Sequence, residues 1–494
     1  MLEAFSDGFL ASIAWPAVGF LIIGVIAGAA IGAIPGLGAT VGLALFLPFT
    51  FGMAPVQAFA FLLGLYATLA TFDTIPAVLI STPGTPNSQA TILDGYPLAR
   101  KGQAARAMSA AFTASMIGGV LGALVLALAI PILRPLVLTF RSPELFAMGM
   151  FGLAMVSLLS EGSMVRGFVA AFFGILLATV GIGPDAIITR FSSGQLYLFD
   201  GIGLVPLVVG LFAIPEVIDL AVRRTSIAEA TAIGSGRWEG IKDTLRHWPL
   251  VIRCSILGVL VGIMPALGGN MSAWLAYGHA MQSSKHPEEF GKGAIDGVIG
   301  PESANNATTG GALIPTIAFG VPGSAPLAIL LGAFIIVGLT PGPSMLKENL
   351  DVTFSMVWAV VFANLIAGSL CLLLANQIGK LTFLRPHLII VFIMVFVFLG
   401  SFAVNADYRD ILAMLGFGAF GYIMRKYGWS RPALTLGIVL GPILESNAIL
   451  STQIWGAAWL YRPIVLGLLL VTVASLFYFP RITGRAMQRV GGRT

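Results

Sequence analysis

Apolar runs broken by short polar or Pro-Gly stretches cover most of this chain. Leu121–Ile130 and Leu388–Leu399 are apolar on every side, which reads as membrane-spanning helix and not as the alternating strand of a barrel. Met1–Trp15 is a short amphipathic lead-in carrying Glu3 and Asp7. The first span, Val18–Ile34, is interrupted at Pro35-Gly36-Leu37-Gly38 and resumes from Thr40 to Phe51. Pro55–Leu69 follows and runs into Asp73-Thr-Ile-Pro76 and the polar, turn-rich Ser81–Ser88. Further spans are expected near 107–131, 144–160, 165–182 and 203–222, and then the long polar stretch Arg223–Trp248. The part from Arg237 to Trp248 has the character of an interfacial helix.

Past that stretch the pattern restarts. Gly32, Pro35 and Gly38 recur as Gly262, Pro265 and Gly268, each 230 positions later; Pro76, Pro83 and Gly84 recur as Pro315, Pro322 and Gly323, each 239 later. Gly210 and Pro215 recur as Gly437 and Pro442, 227 later. Three matches in the same order indicate a duplication. Corresponding loops carry opposite charge bias. Arg100, Lys101 and Arg106 face Lys347, Glu348 and Asp351; the 183–200 loop has one Arg against two Asp, and its counterpart holds Arg425, Lys426 and Arg431. Opposite bias is what inverted repeats require, because cytoplasmic loops collect Lys and Arg. Arg134 and Arg141 run against this map.

The expected fold is therefore an all-α polytopic membrane protein with about ten to twelve transmembrane helices. These form two inverted-topology repeats containing broken or re-entrant Pro-Gly helices. Residues 1–222 make the first repeat, 223–248 a cytoplasmic linker, and 249–461 the second; 462–494 add one span and a basic cytoplasmic tail with Arg481, Arg485, Arg489 and Arg493.

Composition agrees. The 494 residues are 57% hydrophobic and 10% charged, with mean hydropathy +0.94, whereas soluble domains carry about 25% charged residues. The net charge of +5 sits in short loops, a topology signal and not a nucleic-acid patch. Cys254 and Cys371 lie in apolar runs and read as small buried hydrophobes. No Lys or Arg precedes Arg100, so a cleavable signal peptide is not expected and the N-terminus should lie outside.

Catalytic chemistry has little support. There is no phosphate-cradling G-x-x-x-x-G-K-[ST], no H-E-x-x-H and no G-x-S-x-G, and the four histidines are scattered. His279, the one in an apolar run, reads as structural. What stands out is uncharged polarity at membrane depth. Lipid cannot satisfy an interrupted backbone, so such breaks survive only where protein packs them or they line a polar cavity, and matched breaks in two halves point to a binding site. Candidate substrate-binding residues are Pro35, Gly36, Gly38, Thr40, Ser81, Thr82, Pro83, Gly84, Thr85, Asn87, Gly268, Gly269, Asn270, Asn305, Asn306, Pro322, Gly323 and Ser324. Amides at broken helix N-termini attract anions; Asn, Ser and Thr oxygens can hold an organic anion's partner cation. Candidate ion-coupling residues are Asp73, Glu302, Thr308 and Thr309, since an intramembrane carboxylate is a functional hypothesis by default. Helix N-terminal compensation is the simpler alternative for Glu302.

Several of these segments resemble the large membrane subunit of tripartite tricarboxylate transporters, the TctA-like permeases. They are Gly32–Gly38, Ser81–Pro86, Asp94–Pro97 with Lys101-Gly102, Pro301–Ala307, Gly320–Ser324 and Pro341–Pro343. Ala266 departs from the pattern, standing where the first half has Gly36. The resemblance implies a secondary-active importer of di- or tricarboxylates in symport with sodium or protons. It also implies a small four-span membrane subunit and a periplasmic solute-binding protein, in a bacterial inner membrane; threading the spans with Arg223–Trp248 inside puts Lys380, Arg385, the Arg425–Arg431 loop and the C-terminus on the cytoplasmic side. No cofactor is expected beyond a bound sodium ion. Elevator-like movement of the hairpin-bearing elements is the mechanism expected. An uncoupled anion channel and an intramembrane enzyme acting on lipid are the alternatives.

Overall fold

A computed structural model describes residues 1–158, 163–183, 188–222, 235–265, 267–378 and 386–476. Ala266, Lys380, Arg385 and the tail beyond 476 lie outside the described residues, as does much of the expected linker.

The chain is helical almost throughout. The first half contains α1 (Leu2–Ile13), α2 (Ala17–Gly32), α3 (Ala39–Phe46), α4 (Pro55–Phe72), α5 (Thr74–Ile80) and α6 (Gln89–Arg100). It continues with α7 (Ala104–Val137), α8 (Ser142–Leu158), α9 (Met164–Ala178) and α10 (Leu204–Val222). The second half contains α11 (Arg237–Arg246), α12 (Trp248–Ile263), α13 (Gly268–Ser283), α14 (Asp296–Phe319), α15 (Ala325–Ile336) and α16 (Leu350–Ile378). After these come α17 (Pro386–Ala403), α18 (Tyr408–Lys426), α19 (Arg431–Trp455) and α20 (Pro463–Leu476). Helix follows helix in the same order in both halves, with α4 and α5 together matching α14. A short antiparallel hairpin, β1 (Gly181–Ile182) with β2 (Thr189–Arg190), joins α9 to α10.

Among the described residues, five helices are long and apolar enough to cross a membrane alone. Two bent pairs, α1–α2 at 67° and α11–α12 at 74°, raise this to seven. That is fewer than the ten to twelve spans the hydropathy pattern suggests. The difference lies in short apolar helices such as α9 and α15. At 1.5 Å per residue, fifteen residues reach roughly 22 Å, less than the ~30 Å of a hydrocarbon core.

Small residues set the helix crossings. A Cβ on Gly28 would fall 2.4 Å from the Leu65 carbonyl oxygen, and one on Gly258 2.3 Å from that of Ala304. Gly32 meets Leu69 and Gly262 meets Thr308 in the same way. Each corresponding pair of positions therefore makes the same backbone approach, α2 on α4 and α12 on α14. The amphipathic lead-ins are equally matched. Ser12 Oγ on α1 donates to the Ser355 carbonyl of α16 at 3.2 Å, and Thr244 Oγ1 on α11 donates to the Ala110 carbonyl of α7 at 3.0 Å.

Loop contacts sort the helix ends into two faces. Lys101 Nζ donates to the Lys292 carbonyl and Arg106 pairs with Asp243, both at 2.6 Å, which puts the start of α7 beside α11. At its far end Arg134 Nε donates to the Leu346 carbonyl at 2.9 Å, just before α16 begins. A vestibule of about 880 Å³ opens on that second face, lined by Phe51, Leu177, Arg190, Tyr197, Asp410 and Glu445 among others. Tyr197 donates to Asp410 at 2.7 Å; burial and that carboxylate push its phenol above the ordinary value.

Candidate functional site

The site grows from a fold-back turn after α5. Pro83 cannot extend a helix, and Ser81, the cap residue of α5, sits in the left-handed region at φ 55°. The Thr82 N–H bonds back to the Pro76 carbonyl at 3.4 Å, and the chain returns along the helix it has just left. Gly84 then lies on Asp73, so close that a Cβ would fall 2.6 Å from Asp73 Cα. Thr85 follows, accepts the Asn87 N–H at 3.1 Å, and gives its own hydroxyl to Asp73 Oδ2.

The same turn recurs after α14. Gly320 caps the helix at φ 68°, the Val321 N–H bonds to the Pro315 carbonyl at 3.2 Å, and a Cβ on Gly323 would fall 2.6 Å from Ala312 Cα. Every position is 239 residues beyond its counterpart. Chemistry differs at one point: Ala312 stands where the first turn has Asp73.

Four elements of the sequence pattern converge on the start of α13. The Gly36 N–H donates to the Gly84 carbonyl at 3.2 Å, tying the α2–α3 corner to the first turn. Gly269 sits between two side chains, its Cβ position 2.5 Å from Asn87 Nδ2 and 2.7 Å from Asn305 Oδ1. A Cβ on Gly268 would fall 3.6 Å from Ser324 Cβ of the second turn, and Ser324 Oγ lies 3.4 Å from the Tyr66 hydroxyl. Asn305 Nδ2 donates to the Ala70 carbonyl at 3.1 Å.

Two carboxylates are buried beside this region. Glu302 accepts Thr91 Oγ1 at 2.6 Å and Ser115 Oγ at 2.9 Å. Asp73 keeps Oδ1 without a partner, and the side-chain oxygens of Asn270 and Asn305 are likewise unpaired. Among the described residues no Lys, Arg or His bonds to either acid. The unmet capacity is thus oxygen, which suits a cation or a proton, while the N–H groups opening α13 suit an anion.

Other candidates fall elsewhere. Asn306 turns away and bridges Thr71 Oγ1 at 2.7 Å and Asn364 Oδ1 at 2.8 Å. Thr308 donates to the Ala304 carbonyl and bonds Ser272 Oγ, both at 2.7 Å; Thr309 is buried on the same helix. Ser81 and Thr82 are exposed at the turn's tip, Pro35, Gly38, Thr40 and Pro83 are half-buried, and Pro322 is buried. Sequence reasoning did not single out Tyr66, Thr91, Ser115 or Asn364. Tyr66 stands 239 residues before Asn305, and Asn364 is a lone amide in an apolar run, so both were within reach.

Residues 18–436 match the family model described as the tripartite tricarboxylate transporter TctA family. This chain belongs to that family. A 52.8 kDa protein of Agrobacterium vitis, described by its place in the TAR-I ttuC' 3' region, is 33% identical over 96% of this chain and 95% of its own length. A second from the TAR-II ttuC' 3' region is 34% identical over 38% of this chain and 78% of its own. No solved structure matches. As a TctA-family member the chain is a component of a tricarboxylate transporter, a multi-pass membrane subunit working with other subunits and a solute-binding protein. The family is one of transporter subunits and not of enzymes.

Proposed function

We propose that this chain is the permease of a binding-protein-dependent secondary carrier importing di- or tricarboxylates, citrate-like organic anions, in symport with sodium or protons. The observation carrying this reading is the convergence at Gly268–Gly269 of two fold-back turns, two helix corners and a set of buried, unpaired oxygens. Substrate carboxylates would meet the free amides opening α13 and the side chains of Asn87, Thr85 and Ser324. Asp73, with Glu302 behind it, would take the coupling ion, with Thr308 and Thr309 backing the site from α14. Neutral dipoles suit a cargo that must be released; a fixed cation at membrane depth costs at least ~2.5 kcal/mol.

The repeats are read as inverted. In support, α7 starts beside α11 and ends beside Leu346, while α16 starts near that end and runs the other way. Arg100, Lys101, Arg106, Arg237, Lys242 and Arg246 gather on the α11 face, which the positive-inside rule makes cytoplasmic. The N-terminus is then periplasmic and the membrane the bacterial inner membrane. A small four-span subunit completes the assembly, and an elevator-like displacement carries the site across.

Proteoliposomes with the partner subunits and labelled carboxylates test the reading. Uptake above the equilibrium level is expected, lost when the sodium and proton gradients are collapsed. Flux that persists unchanged without a gradient belongs to a channel and overturns it.

A further inference from the structure

The helices sort into two bodies by their contacts. In one, α8–α10 interleave with α17–α19: α10 lies on α18 and α9 on α19, with Gly210 on the Met414 carbonyl and Gly437 on that of Ala171. Ion pairs clamp this body at both ends simultaneously. Arg190 from the β-hairpin holds Glu445 of α19 at 2.5 Å; Arg425 at the end of α18 holds Glu216 and Asp219 of α10 at 2.9 and 2.6 Å. The other body carries the site, with α14 packed on α7 and α12, and α4 on α2 and α16.

Most contact between the bodies runs through α3 and α15, with Val321 of the second turn also against Gly152 of α8. Helix α3 packs on α10, α15 on α19, and the two on each other. A Cβ on Gly332 of α15 would fall 2.9 Å from Leu204 at the start of α10. By sequence position the counterparts of α3 and α15 are α13 and α6, and these pack on each other too. Yet they lie against their own body: α13 on α14, α6 on α5, α7 and α14. Pro86 just before α6 and Gln89 and Leu93 along it are exposed, whereas of their counterparts on α15 Ala328 and Gly332 are buried and Ala325 half-buried. Ser81 and Thr82 are exposed where Gly320 and Val321 are buried. Two halves of like architecture thus occupy unlike positions.

We infer that the structure is one of two end states, and that in the other α6 and α13 take the place α3 and α15 now hold against the clamped body. Leu93 then reaches the start of α19, as Gly332 now meets the start of α10. The same contacts, exchanged between halves, serve both states, so neither needs a packing mode the chain does not already use. The clamped body stays whole because its ion pairs close both ends at once. The inference gives the carrier reading its moving parts and rests on that reading for its purpose.

Paired cysteines test it in membranes containing the full chain and its partners, after Cys254→Ala and Cys371→Ala. Leu204→Cys with Gly332→Cys reports the present state; Leu93→Cys with Pro432→Cys reports the exchanged one. Both cross-links are expected on oxidation, each with loss of uptake that reductant restores. Absence of the Leu93–Pro432 cross-link with and without substrate and gradient, while the other forms, overturns the inference; so does a complete Leu204–Gly332 cross-link with unchanged uptake. Should a pair fail to accumulate, spin labels at Leu93 and Tyr427 are expected to give two distances whose proportions shift with substrate, and a single unshifting distance overturns the inference. Cross-links are read on a gel. A chain that forms both but carries no carboxylate loses the carrier reading and keeps this one.

Discussion

The backbone N–H of Gly84 donates to the carbonyl of Asp73 at 3.3 Å, and no side chain fits between them. Gly323 lies on Ala312 just as closely, with a Cβ position 2.6 Å from its Cα, although its own N–H donates to Thr316 Oγ1 at 3.2 Å. Backbone is the obstacle in both cases, and backbone cannot swing aside as a long side chain would. Gly84→Ala and Gly323→Ala should therefore each destabilise the protein by about 1–3 kcal/mol, the usual effect of overpacking. Thermal unfolding in detergent checks this; equal losses are expected, and wild-type melting for either variant would contradict the turn geometry.

The two caps at the turns give the opposite contrast. Ser81 holds φ 55° and Gly320 φ 68°, a region that costs an L-residue roughly 1–2 kcal/mol. Ser81→Gly should raise the melting temperature and Gly320→Ala lower it. Their opposite signs, at positions sharing one backbone shape, are what the comparison of melting curves must show.

Asp73 and Glu302 are acids surrounded by hydroxyls. Thr85 donates to one Asp73 oxygen and leaves the other unpaired, while both Glu302 oxygens are met by Thr91 and Ser115. Thr91→Val strips a buried carboxylate of a donor and should destabilise by about 1–3 kcal/mol. Asp73→Asn keeps the volume and removes the ionisable group. Normal protein levels with loss of gradient-driven uptake are expected, read by membrane content and labelled-substrate accumulation. Retained accumulation with an unaltered ion dependence would remove Asp73 from the coupling role.

Much of this was readable in the sequence, because Pro and Gly act locally. Pro83 and Gly84, and likewise Pro322 and Gly323, lie where the chain folds back after α5 and α14, and helix α2 ends at Gly32 just before Pro35. Span number was less legible, since hydropathy registers apolar content and not the length at which a helix stops; α9 and α15 are apolar but short. Partners across the fold were illegible from spacing alone. Nothing local says that Thr91 and Ser115 will meet Glu302, or that Asn306 will turn away from its neighbour Asn305. Adjacent residues on a helix point about 100° apart, so the Asn-Asn pair had to serve two places.

That second place is a polar node where four helices cross. Asn306 Nδ2 on α14 reaches Thr71 Oγ1 on α4 and Asn364 Oδ1 on α16, and Asn364 Nδ2 donates to the Val360 carbonyl at 2.8 Å. Gly119 of α7 closes the fourth side, where a Cβ would fall 2.1 Å from Asn364 Oδ1. Removing one amide strands the other in a dry interior, so Asn306→Ala and Asn364→Ala should each destabilise by about 1–3 kcal/mol. Removing both leaves nothing further to strand, and the double variant should fall short of the sum by about 0.5–3 kcal/mol. Gly119→Ala displaces the Asn364 side chain and should lose most of its effect in the Asn364→Ala background. Chemical unfolding of these five variants beside the wild type closes both cycles; strictly additive losses would mean that the two amides hold their helices independently and that the crossing is set by the glycines alone.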